Sequence, residues 1–174
     1  MKPQTRSLPR RREVVGGIGL WLMAGAAAAA APLAKGGPVV WPELALLDGR
    51  RLAAADWSDT AAVVVFWATW CAYCERHNAR IERLRQATEG QPLRVLTVAV
   101  DSDEAGVRHY LQQHGLHFAV TLSAAALREQ FTSRRTVPMT ALVDRRGRLV
   151  QVIPGEMSEQ DVLALAILAH TPAG

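Results

Sequence analysis

The two cysteines of this 174-residue chain are Cys71 and Cys74, set in Trp70-Cys71-Ala72-Tyr73-Cys74. With no third cysteine, neither thiol has another intramolecular partner. A purely structural bridge is the bland reading, but closing so short a loop constrains little. The chemistry that suits the spacing is thiol–disulfide exchange, in which a thiolate attacks one sulfur of a disulfide. The apolar run Ala61–Trp67 precedes the pair, and a helical pattern starts at Cys71. A strand-to-helix junction places the first thiol at a helix N-terminus, where free N–H groups and the macrodipole favour the thiolate. Cys71 is therefore the expected nucleophile and Cys74 the more buried, resolving thiol.

His77 lies three residues after Cys74, on the same helix face. It reads either as a solvated surface histidine or as a group that exchanges a proton with Cys74 or supports a thiolate. His109, His114, His117 and His170 form no constellation and read as surface residues. A reading from another class is a periplasmic Cu(I)-binding protein, with Cys71, Cys74, His77 and Met139 as soft ligands. A structural zinc site would need four closed ligands, and there is no second CxxC. Covalent haem is unsupported because Glu75, not histidine, follows Cys74. A thiol peroxidase would not need the paired CxxC. The dithiol requires no organic cofactor and no metal.

The elements that must position the pair follow from periodicity. Leu44–Leu52 carries Asp48-Gly49 between apolar runs, a hairpin signal. Ala61–Trp67 and Leu93–Val100 are continuous apolar strands, as expected when both sheet faces are covered. Cys71 to about Glu89 reads as a helix with Ile81, Leu84 and Ala87 or Thr88 on one face. Asp103–His114 reads as a second helix capped by Asp103. Ala119–Leu122 reads as a strand and Ala124–Phe131 as a helix. Met139–Asp144 and Arg148–Ile153 read as a hairpin across Arg145-Arg146-Gly147, and Ser158 caps a last helix running to about Ala169. This order predicts an α/β fold, a central mixed β-sheet with helices on both faces and an N-terminal β-hairpin extension.

Charge is unevenly placed. Residues 1–31 hold five basic residues and one acidic, which leaves 15 against 15 of the chain's 20 basic and 16 acidic groups. The net charge of +4 thus lies in the leader, and no basic patch in the remainder argues for nucleic acid. Arg10-Arg11-Arg12, an apolar Gly/Ala-rich stretch from Val14 to Ala31 and the small residues Ala29-Ala30-Ala31 have the layout of an export signal. Arg11-Arg12-Glu13-Val14-Val15 partly resembles a twin-arginine signal. An uncleaved anchor is the alternative, and it would be the chain's one contact with a membrane. The expected division is a signal peptide or anchor over 1–31, a Pro/Gly-rich linker over 32–38 and one domain over 39–170, facing an oxidising compartment, the bacterial periplasm.

Trp67-Ala68-Thr69-Trp70-Cys71-Ala72-Tyr73-Cys74 after a buried strand, Leu46-Leu47-Asp48-Gly49-Arg50, and Thr136-Val137-Pro138 before a strand together carry a resemblance. From about Val39 to Ala169 the chain resembles the thioredoxin fold, and within it the TlpA/ResA-type exported thiol-disulfide oxidoreductases, which include cytochrome c maturation reductases. The resemblance implies a cis proline at Pro138, after Val137, lying against the CxxC. It implies an exposed Trp70 beside the sulfur and an exposed Tyr73 that contacts substrate. It further implies protein thiol and disulfide substrates, a membrane electron donor, and reduction rather than oxidation. Two departures stand out: Val65 occupies the position of the buried acid of thioredoxins, and His77 that of a glutamate in several closer reductases.

Overall fold

The computed structural model describes residues 31–171. The leader expected over 1–31 lies, apart from Ala31, outside the described residues. The expected N-terminal hairpin is present, with β1 (Leu44–Ala45) antiparallel to β2 (Arg51–Leu52). Gly49 takes a positive φ of 89° in its turn, a conformation glycine adopts without a Cβ clash. A short 3-10 turn, Ala54–Trp57, follows and was not anticipated from the sequence.

β3 (Ala61–Trp67) is buried at all seven positions, as its uninterrupted apolar run with valines at its centre demands. After α1 (Ala72–Ala87) the chain returns as β4 (Leu93–Ala99), parallel to β3. Next come α2 (Glu104–Gln113), β5 (Ala119–Thr121), α3 (Ala124–Phe131), β6 (Met139–Val143) and β7 (Leu149–Pro154). The five-stranded sheet has the order β5-β4-β3-β6-β7. β4 and β5 run parallel, while β6 is antiparallel to both β3 and β7.

Alternation along β3 divides the core. Val63, Val65 and Trp67 face a cluster with Ile81 and Leu84 of α1, Val107 of α2 and Val162 near the C-terminus. Val64 and Phe66 face Leu127 and Phe131 of α3 together with Leu44, Leu52 and Trp57. The helix expected from Ser158 to about Ala169 is two, α4 (Glu159–Ala164) and α5 (Ile167–His170). Between them Leu165 and Ala166 donate to carbonyls three residues back, which tightens the chain and buries Leu165, Leu168 and Ala169 together.

The Pro/Gly stretch read as a linker lies against the domain. Leu33 N–H donates to the Gln130 carbonyl (2.8 Å), Gly36 N–H to Leu149 (2.7 Å) and Val39 N–H to Gly147 (2.8 Å). No helix among the described residues is long and apolar enough to cross a membrane.

Candidate functional site

Cys71 and Cys74 form a disulfide, with Cα atoms 5.2 Å apart. Cys71 is the N-cap of α1, in extended conformation, and its Sγ accepts a hydrogen bond from Cys74 N–H at 3.2 Å. That bond is the kind a side-chain acceptor makes with an orphan donor at a helix start. Cys71 is half-buried while Cys74 is fully buried against Val65 and Trp67. The two sulfurs are thus unequal, as an attacking and a resolving thiol should be. Trp70 and Tyr73 stand out at 73% and 63% exposure, and the Arg76 guanidinium lies 5.1 Å from the Tyr73 ring centre.

The Val137–Pro138 peptide bond is cis. It brings the Val137 carbonyl oxygen to 3.7 Å from Cys71 Sγ. Pro138 is buried, and its carbonyl accepts from Gly155 N–H at 2.8 Å, tying the loop to the end of β7. On the other side, Asp101 holds the turn that delivers Trp70 and Cys71. Its carboxylate accepts from Thr69 N–H (3.1 Å) and from the Thr69 hydroxyl (2.6 Å). Asp101 was not singled out in the sequence; its position just past β4, beside the end of β3, is the feature that marks it.

His77 corrects the surface placement. It is fully buried. Its Nδ1 accepts from Met157 N–H at 3.4 Å, so Nε2 carries the proton and donates to the Thr140 hydroxyl at 3.0 Å. Burial, and then the nearby Arg80 charge, lower its pKa to about 4, with Glu156 opposing. The ring is therefore neutral at physiological pH, and neither nitrogen is hydrogen-bonded to a sulfur. A Cu(I) site that used His77 would have to break one of these buried bonds. Among the described residues no group of three or more His, Cys, Asp and Glu side chains is arranged to hold a metal ion. Met139 is a buried strand residue, and of the remaining histidines His109, His117 and His170 are exposed, while His114 is partly covered against Tyr110.

The segment that supplies Met157 is clamped to α1. Glu156 accepts from Arg76 Nε (3.0 Å) and Nη2 (2.7 Å), and from Arg80 Nη1 (2.6 Å). The arginines hold the Glu156 carboxyl below its ordinary range, Arg76 contributing most. Arg80 also donates to the Met157 carbonyl at 2.6 Å. Thr140, Met157 and Glu156 escaped the sequence reading because they lie 63 to 80 residues from their partners on α1.

The Redoxin family profile matches residues 26–166. Thiol-disulfide oxidoreductase ResA of Geobacillus thermodenitrificans is 26% identical over 116 residues, 67% of each chain. The ResA of Geobacillus kaustophilus is 26% identical over 123 residues, 70% of this chain and 71% of its own. Among solved structures, a thiol:disulfide interchange protein from Chlorobium tepidum superposes with a TM-score of 0.68 at 21% identity, covering 78% of this chain and 97% of that one. StoA from Bacillus subtilis does so with a TM-score of 0.62 at 16% identity, covering 75% and 98%. These structures share the thioredoxin fold seen here, and their low identity speaks to fold alone. The profile spans most of the domain and takes in both cysteines at the head of α1, so the chain belongs to the Redoxin family, as a thioredoxin-fold thiol-disulfide oxidoreductase.

Proposed function

We propose that the protein is an exported protein-disulfide reductase, working in the periplasm and recharged by a membrane electron donor. In the reaction, the Cys71 thiolate attacks one sulfur of a substrate disulfide. A bond forms between Cys71 and that sulfur, and the other substrate sulfur leaves as a thiolate that takes up a proton. Cys74 then attacks Cys71, releasing the second substrate thiol and closing Cys71–Cys74. Two electrons pass to the substrate, and the donor must return two to reopen the pair. Cytochrome c maturation, where relatives of the resembled type act, is one process that needs such a step.

The observation that carries this reading is the inequality of the sulfurs, one half-exposed at a helix N-terminus and one fully buried. The direction rests on how little beyond the helix N-terminus supports a thiolate at Cys71. One N–H donates to Sγ, a carbonyl oxygen lies beside it, and the nearest histidine on α1 is neutral. A strong oxidant stabilises its reduced form, and this site does little of that. The pair is expected to equilibrate with a dithiol buffer near the thioredoxin value of about −270 mV rather than the DsbA value of about −120 mV. Thiol alkylation followed by mass measurement reads that ratio, and a result at the oxidising end reverses the direction. Cys74→Ser should trap substrates as mixed disulfides on Cys71, whereas Cys71→Ser should trap none. Trapping by Cys71→Ser alone would exchange the roles.

A further inference from the structure

A cleft of about 350 Å³ opens beside the cis-proline loop, on the sheet face opposite α1. Phe131, Met139 and Val152 line it as apolar surface, and Thr132, Arg134 and Thr136 supply its polar groups. Thr136 is joined directly to Val137, whose carbonyl lies 3.7 Å from Cys71 Sγ. The cleft thus ends one residue along the chain from the carbonyl beside the reacting sulfur, and none of its lining residues belongs to the helix that carries that sulfur.

Arginines without a carboxylate partner gather in the segment that borders the cleft. Most described arginines pair with a carboxylate, as Arg50, Arg76, Arg80, Arg85, Arg108 and Arg145 do. Arg128, Arg134 and Arg135 form no ion pair among the described residues. Glu129, beside Arg128 in sequence, pairs with none of them. Arg128 is anchored: its Nη1 donates to the Arg134 carbonyl at 3.2 Å, its guanidinium lies 5.1 Å from the Phe66 ring centre, and its buried Nη2 has no hydrogen-bond partner. It shapes the loop that carries Arg134 and Arg135, both of which are exposed. Three like charges within eight residues repel one another unless an anion joins them.

Resting on the disulfide-reductase reading, we infer that this cleft and its unpaired arginines receive an acidic segment of the substrate protein, next to the cysteine that Cys71 attacks. An extended polypeptide rises about 3.3 Å per residue. A partner residue two to four positions from its reacting cysteine thus passes over the cleft. Its carboxylate would meet Arg134 at the cleft and the exposed Arg135 next to it in sequence, while the aliphatic part of its chain covers Val152 and Pro154. The Thr132 and Thr136 hydroxyls add donors that suit the same anion. The cleft thereby sets substrate preference, and Cys71 supplies the chemistry.

The test uses reduced protein and two decapeptides, each carrying one cysteine as a mixed disulfide with 2-mercaptoethanol. One is flanked by glutamates, the other by glutamines. At low salt the Glu-flanked peptide should be reduced about five- to tenfold faster, the scale of two exposed ion pairs. The ratio should fall towards one near 1 M salt, where the screening length is about 3 Å. In R134Q/R135Q the ratio should drop close to one, and in R134E/R135E it should invert in favour of a Lys-flanked peptide. Equal rates for the two peptides in the parent overturn the inference and leave the reductase reading standing. A preference that survives in R134Q/R135Q also overturns it. Reduction of neither peptide overturns the function and the inference together.

Discussion

Cys71 and Cys74 were legible as a redox pair because their chemistry is local: two thiols, two intervening residues and a helix start. His77 was not, because its environment is made by Thr140 and Met157, which reach it only in the folded chain. Its burial has a pH signature. The folded pKa is about 4, against about 6.5 for an unfolded histidine. Below pH 6.5 the unfolded chain therefore binds a proton that the folded protein refuses until pH 4. Stability must rise with pH across that window and is lost as pH falls through it. The contribution amounts to about 2 to 3 kcal/mol between pH 7.5 and pH 4.5. Denaturant unfolding of the parent and of His77→Gln at the two pH values isolates it. The variant, whatever its own stability at pH 7.5, should show a pH dependence smaller by about that amount. Equal dependence would mean that the ring titrates normally and is open to water.

At the scale of elements, strands and helices were legible where one kind of pattern ran without interruption. Ala61–Trp67 is apolar throughout, and α1 carries Ile81 and Leu84 at helical spacing. The break between α4 and α5 was hidden, since Leu165 and Ala166 are good helix formers and packing alone turns the chain there. The turn from β3 into α1 was hidden in another way, because it depends on Asp101 beyond the neighbouring strand. Thr69 gives that carboxylate two hydrogen bonds, and these set the direction in which Trp70 and Cys71 leave the sheet. Hydrogen bonds to a charged acceptor contribute about 1.5 to 3 kcal/mol each, and their loss leaves Thr69 N–H part-buried without a partner. Asp101→Ala should therefore lower unfolding stability by about 3 kcal/mol or more. It should also slow reduction of a small neutral disulfide, since Cys71 would lose its fixed place at the helix N-terminus. A variant with reduced stability but unchanged exchange rate would confine Asp101 to a structural role.

On the scale of the whole molecule, composition misled the reading of residues 32–38, because Pro and Gly suit a linker as well as a tight strap. The difference lies in what the chain meets. Gly36 and Gly37 exchange hydrogen bonds with Leu149 (2.7 and 2.9 Å), and Pro38 bridges Arg148 in antiparallel fashion. Gln130 then grips Val40 from α3, its side chain both accepting from the Val40 N–H (2.8 Å) and donating to the carbonyl (2.7 Å). Trp41 stacks on Trp57 with ring centres 3.7 Å apart and planes within 5°. The segment thereby covers the start of edge strand β7 and closes the apolar face that holds Trp57, Phe131 and Phe66. An uncovered strand edge beside an apolar face invites pairing with another chain. A chain beginning at Pro32 should consequently unfold in one cooperative transition. A chain beginning at Glu43, without the strap, should lose about 3 to 5 kcal/mol, the scale of removing a packed tryptophan. The shorter chain should also self-associate on gel filtration where the longer one does not. Equal stability of the two chains would return residues 32–38 to the status of a linker and leave β3, α1 and the disulfide to stand without the strap.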